Sequence, residues 1–115
     1  MKAQMKAILV AAAVLAVSAA GTSAFAKGNA ESGKAKAAQV CAACHGPDGN
    51  KPTGPDFPIL AGQHADYIKR ALIDYKSGKR NNPIMKGFAA TLSAQEMDDL
   101  AAWFSSQRSN LVSHR

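Results

Sequence analysis

Five consecutive residues, Cys41-Ala42-Ala43-Cys44-His45, constrain this chain more than any other feature. The pattern C-x-x-C-H is the attachment sequence for a c-type haem. Each part has a chemical task. The two thiols add across the two porphyrin vinyl groups and leave thioethers that cannot dissociate, and the two-residue spacer lets one helical turn reach both vinyls. His45, directly after the second thiol, offers an imidazole nitrogen to the iron. Cys41 and Cys44 are the only cysteines in the chain, so haem c would consume the whole supply and leave none for a structural disulfide.

Other uses of the motif fit the context less well. A redox-active C-x-x-C pair follows a strand in a βαβ unit and needs no histidine after it, whereas the residues before Cys41 read as helix. A structural zinc site needs four ligands, supplied by a second C-x-x-C or a closely spaced histidine pair. The remaining histidines, His64 and His114, stand far apart in sequence.

Residues 1–26 read as an export signal. Lys2 and Lys6 give a positive start, residues 7–20 form an apolar stretch broken only by Ser18, and Ala24-Phe25-Ala26 is an A-x-A cleavage site. The apolar run is too short for a comfortable membrane span. Cleavage would leave residues 27–115 as one domain exported to the periplasm, a compartment where a lost cofactor cannot be re-supplied and which suits a covalently held one. No other segment approaches transmembrane length, so no membrane span is expected in the mature chain. A domain of that size has little room for a core and usually needs a staple. Haem would be that staple, and the chain without it is expected to be largely unfolded or molten.

The whole chain carries +6. The leader holds Lys2 and Lys6 and no acid, so the remainder stands at +4, and haem propionates would remove up to about two of those charges. That balance favours mild attraction to acidic partners. Nucleic acid is not an expected partner, because no basic stripe is interleaved with aromatics.

The mature region reads as helices joined by loops. Asn29 is a good N-cap for a first helix reaching the cysteines. Its Gly33 costs helix stability unless another helix crosses closely there. Residues 46–62 hold four prolines and four glycines, the composition of an ordered loop that would wrap the cofactor edge. A second helix fits 65–76, with Ile68, Ala71, Leu72 and Tyr75 at helical spacing and Ser77-Gly78 as its stop. Residues 79–92 are expected to be irregular. Ser93-Ala94-Gln95-Glu96 is a capping box, followed by Met97, Leu100, Ala101 and Phe104 at i, i+3, i+4 and i+7, a stripe that Trp103 widens. The polar tail from Ser105 is expected to fray.

A haem iron with one histidine either takes a second axial ligand or lacks one, which separates electron carriage from other haem chemistry. The candidates are Met85, Met97, His64 and, in the tail, His114. Met85 is preferred, because Pro83 stiffens and Gly87 releases what reads as a loop able to hold a thioether over the porphyrin. Met97 belongs to the helical stripe and reads as core. His64 starts a helix and reads as solvated.

Taken together, the sequence resembles the single-haem class I cytochromes c of bacteria, and is similar to one half of the two-haem periplasmic cytochromes. The likeness covers the mature region. It rests on Cys41 to Gly46, on Phe57-Pro58-Ile59-Leu60-Ala61-Gly62-Gln63, on the Met85 segment, and on Leu100-Ala101-Ala102-Trp103-Phe104. It implies an all-α small cytochrome c fold, three to four helices and long loops wrapped around one covalently bound haem c. It implies that the carbonyl of Pro58 accepts the ring N–H of His45, a bond that fixes the imidazole. It also implies a right-angled crossing of the first and last helices, with Gly33 facing Leu100 and Trp103. One haem motif excludes transfer between two haems within this chain.

With His45 and Met85 both on the iron, the expected function is periplasmic transfer of one electron, not an enzymatic reaction. Partners would be redox proteins with acidic docking surfaces, met by a monomer through a small transient contact. Lys76, Lys79, Arg80 and Lys86 are expected to ring the exposed haem edge, an ordinary solvated face being the alternative. Two rival functions are an electron-input haem subunit of a larger oxidoreductase, and a haem enzyme or gas sensor with an open sixth site.

Overall fold

Asn29 starts the first helix as its sequence suggests: its side chain accepts the Ser32 N–H at 2.9 Å and α1 runs over Ala30–Val40. The computed structural model describes residues 11–13 and 28–109. The rest of the expected leader and His114 lie outside the described residues. At Cys41 the helix changes register into a single turn, α2, Ala42–His45. The irregular stretch that follows ends at α3, Ala65–Ser77, which Gly78 closes in the left-handed region at φ 83°. α4 covers Pro83–Ala90 and α5 covers Ala94–Ser106. The described residues form no strand, and none of their helices is long and apolar enough to cross a membrane.

Two expectations are corrected. Residues 79–92 are not irregular, because α4 lies inside them and carries Met85. Asn82 accepts the N–H groups of both Ile84 and Met85 at 3.1 Å, and Pro83 takes the first helical position, where its missing donor costs nothing. The described residues thus hold four helices of eight residues or more, within the three to four expected, and α2 as a single further turn. The last helix also persists beyond the expected fraying point at Ser105. The hydroxyls of Ser105 and Ser106 bond back to the carbonyls of Ala102 and Trp103 at 3.2 and 2.7 Å, and the helix closes at Gln107.

α5 is the centre of the packing, against α1 on one side and α3 on the other, while α4 leans on α3. Its capping box is complete: Ser93 Oγ accepts the Glu96 N–H at 3.1 Å, and Glu96 returns the bond to the Ser93 N–H at 2.9 Å. The core comprises Ala37, Ile68, Leu72, Leu92, Met97, Leu100, Ala101 and Phe104. Met97 is thus a core side chain, as its place in the stripe implied.

Gly33 lets α1 approach α5 closely, with Trp103 as a neighbour as expected and the Asp99 backbone in the place expected of Leu100. A Cβ there would collide with the Asp99 carbonyl and lie 2.9 Å from Trp103 Cβ. The contact is with backbone, which has no rotamer to yield. Around it, the Asn29 N–H donates to Asp99 Oδ1 at 2.7 Å and Gln95 Nε2 donates to the same oxygen at 2.9 Å. That places a buried carboxylate at the positive end of α1, where the helix dipole favours it. Lys36 and Glu96 add an ion pair at 2.9 Å.

Candidate functional site

The site begins with the register change at Cys41. The N–H groups of Cys44 and His45 both reach back to the Cys41 carbonyl, at 3.2 and 3.0 Å. Gly46 then turns the chain at φ 85°, where a side chain would meet the Lys51 carbonyl. The loop folds back over the turn: the Thr53 N–H donates to the Cys44 carbonyl and Thr53 Oγ1 to the Ala43 carbonyl, both at 3.0 Å. These bonds occupy carbonyls that the end of a four-residue helix leaves without partners. They also hold the two cysteines and His45 in one short, rigid turn.

His45 is buried, with 6 % exposure. Its Nδ1 lies 2.9 Å from the Pro58 carbonyl oxygen. A carbonyl can only accept, so Nδ1 carries the proton and the lone pair of Nε2 remains for another partner. The edge of Phe57 lies against the ring, centroids 6.2 Å apart. Pro58 is itself placed by a loop anchored through the Leu60 N–H to the Gly49 carbonyl at 2.9 Å and the Gly62 N–H to the Phe104 carbonyl at 2.9 Å. At Gly49 (φ 79°) an added Cβ would stand 2.8 Å from Phe104, so the loop lies flat on α5.

Cys41, Cys44, His45, Pro58 and Met85 all line one cavity of about 540 Å³. α3 contributes Ile68 and Leu72 to its walls, α5 contributes Leu100 and Phe104, and α4 contributes Ile84 and Phe88. Met85 is half-buried against the core. Met97 and His64 do not line it, and the exposed ring of His64 makes no capping bond for α3.

The lining suits a large flat apolar group. Ile84, Tyr67 and Phe88 are 57, 52 and 41 % exposed, and all three face this cavity. A porphyrin seated there would cover apolar surface that is otherwise open to water. Burial pushes the Cys41 thiol up to about 11 from an ordinary 9, the nearby Cys44 adding to this and Lys36 opposing it. That is the opposite of the lowered pKa that makes a reactive thiolate. The donor set also fits haem c, with two unpaired thiols, an imidazole with its free nitrogen defined and a thioether on one apolar cavity.

Sequence reading missed the contribution of α4 beyond Met85, and of Tyr67 on α3, to the cavity. Ile84 and Phe88 are four residues apart and follow Asn82-Pro83, a cap and first-turn pair, so a signal was present. Tyr67, Ala71 and Tyr75 also recur at intervals of four. Of the expected basic ring, Lys76 is engaged elsewhere, its ammonium donating to the Leu92 carbonyl at 2.6 Å. Arg80 lines the cavity itself.

Comparison with known proteins agrees with this geometry. Residues 28–104 match the family described as cytochrome C oxidase, cbb3-type, subunit III. Cytochrome c4 of Pseudomonas aeruginosa is 51 % identical over 85 residues, covering 74 % of this chain and 41 % of that protein. Cytochrome c-554(548) of Halomonas halodenitrificans is 39 % identical over 83 residues, covering 70 % of this chain and 98 % of that protein. The crystal structure of reduced recombinant cytochrome c4 from Pseudomonas stutzeri superposes with a TM-score of 0.67 at 43 % identity, over 73 % of this chain and 48 % of that one. The chain therefore spans about half the length of the cytochrome c4 proteins it matches, and nearly all of the shorter relative.

Proposed function

Because the chain belongs to the c-type cytochromes, we propose that it is a periplasmic one-electron carrier whose haem c is held by Cys41 and Cys44 and ligated by His45 and Met85. The observation that carries this reading is the 2.9 Å bond from His45 Nδ1 to the Pro58 carbonyl, made on the same cavity that both thiols and Met85 line. When bound, haem c supplies a one-electron couple between Fe(III) and Fe(II).

The residues of the chain set the terms of that couple. Pro58 orients the imidazole and, through its hydrogen bond, raises the basicity of Nε2. The Met85 thioether is a soft donor that favours the reduced iron, which raises the potential. Leu72, Leu100 and Phe104 keep water from the site, and a water-poor surround disfavours the extra positive charge of the oxidised state. With His45 and Met85 both holding the iron, no position would remain for a substrate, so the centre would pass electrons rather than act as an enzyme active site. Residues 1–26 act as the cleaved export signal and 27–115 as the working domain. Lys79 and Lys86, both exposed and next in sequence to the cavity-lining Arg80 and Met85, favour redox partners with acidic surfaces.

The test is the optical spectrum of the exported, reduced protein before and after carbon monoxide. A low-spin spectrum unchanged by the gas is expected, with Met85→Ala gaining a prompt carbon monoxide shift. A native protein that binds the gas at once overturns the His45/Met85 assignment in favour of an open site. The partner reading has its own check. Lys79→Gln with Lys86→Gln should slow reduction by an acidic redox protein at low salt, and an unchanged rate refutes it.

A further inference from the structure

The loop between α2 and α3 carries Pro58, and the chain that follows α5 lies across both ends of that loop. Near its start, Asn50 Nδ2 donates to the Arg108 carbonyl at 2.6 Å, a contact between residues 58 positions apart. At its far end Gly62 turns at φ 74°, and a Cβ there would lie 2.6 Å from Ser109 Cβ and 3.5 Å from the Gln107 carbonyl oxygen. We propose that residues 107–109 are a strap, and that Asn50 is the positioning residue through which the strap sets the bond between His45 and Pro58, an inference that rests on the haem c reading above.

The route from Asn50 to the imidazole is short. The Asn50 N–H donates to Asp48 Oδ1 at 2.9 Å, and its Nδ2 reaches Asp48 Oδ2 at 3.1 Å as well as the Arg108 carbonyl. Those donors, the backbone N–H foremost, hold the Asp48 carboxyl below the usual carboxylate range, so the clamp is ionised and closed at neutral pH. Between the two clamped residues lies Gly49, whose carbonyl accepts the Leu60 N–H at 2.9 Å and the Ala61 N–H at 3.3 Å. Leu60 stands two residues after Pro58, whose carbonyl oxygen lies 2.9 Å from His45 Nδ1. A backbone carbonyl has no rotamer of its own, so its direction follows the chain on either side. Moving Asn50 moves Gly49, and with it the segment that presents the Pro58 carbonyl to the ring.

The chemistry at position 50 is specific. Both neighbours of Nδ2, a carboxylate and a carbonyl, can only accept, so the position calls for an uncharged group with two N–H donors. A carboxylate of the same shape has no donor and would face Asp48 with like charge. The loop also depends on outside support, because it has no repeating backbone bonds and its four prolines donate none. Neither Asn50 nor Arg108 lines the cavity. Their influence on the imidazole therefore runs through the loop alone.

The experiment measures covalent haem content, then follows deuterium exchange by proton NMR in the reduced, haem-loaded protein. It compares the His45 Nδ1–H with the Leu100 amide of α5 in the wild type, in Asn50→Ala, in a chain ending at Ser106, and in the two changes combined. Asn50→Ala should speed exchange of the ring proton roughly three- to tenfold, the net worth of one hydrogen bond, and leave the Leu100 amide nearly unchanged. A general loss of stability would speed both protons alike. Truncation should do at least as much at the ring proton, and adding Asn50→Ala to it should change nothing further, because both remove the same contact. Unchanged ring-proton exchange in Asn50→Ala, equal acceleration of both protons, or effects that multiply in the combined variant each overturn the proposal. If either change prevents haem loading, Asn50→Asp decides: selective acceleration upholds the proposal and wild-type exchange refutes it. Absence of covalent haem from the wild type would instead refute the haem reading itself.

Discussion

The α1–α5 crossing and the α3–α4 flank of the cavity are built on opposite terms. At the crossing, protein meets protein: Gly33 against the Asp99 backbone, Asn29 bonded to the Asp99 carboxylate, Lys36 paired with Glu96. On the flank, Ile84 and Phe88 of α4 stand 57 and 41 % exposed, and a Cβ on Gly87 would meet nothing within 4 Å. One half carries its own partners; the other presents apolar surface to a cavity. The difference teaches that the fold is divided between a self-sufficient joint and a wall left open to the cavity, where the proposed cofactor would be its packing partner.

Removing the cofactor should widen that difference most. In Cys41→Ser/Cys44→Ser, covalent haem should be lost and the chain should become largely unfolded or molten. Hydrogen exchange followed by mass spectrometry should then show α4 and the 46–62 loop exchanging freely, with whatever protection survives concentrated in α1 and α5. Equal loss in both halves would erase the distinction drawn here.

Two glycine substitutions test it next. Gly33→Ala forces a methyl onto a backbone carbonyl and should destabilise the loaded protein by about 3 kcal/mol, a fall in melting temperature on the order of 10–20 °C for a domain this small. Gly87→Ala should act in the opposite direction. It adds helix propensity in open space and should stabilise by up to about 1 kcal/mol, a rise of a few degrees. If both changes destabilise alike, α4 is as tightly constrained as the crossing and the comparison fails.

The same division separates what could be read in advance from what could not. The crossing helices carry local chemistry that needs no context: the Asn29 cap, the capping box from Ser93 to Glu96, the stripe from Met97 to Phe104. α4 has equally good local signals in Asn82 and Pro83, but both residues also begin turns. An eight-residue helix is too short to be stable by itself. It forms where α3 gives it a surface to lie on, and that surface is a property of the folded chain. Arg80 and Lys76 teach the same point. In sequence they belong to one basic run, yet one stacks on Tyr75 at the cavity and the other donates to the Leu92 carbonyl, 16 residues away.

By itself, the sequence pointed to the chemistry: C-x-x-C-H offers a haem two thiols and an imidazole at the spacing that covalent attachment requires. It also determined where α1, α3 and α5 begin and where α1 and α3 end, to within a residue, because caps and stripes act within a few residues. Tertiary structure decided which backbone Gly33 must clear, which carboxylate accepts the Asn29 N–H and which cation faces the cavity. The first two of those contacts join residues 66 and 70 positions apart, and only the packing of helices against one another brings such groups together.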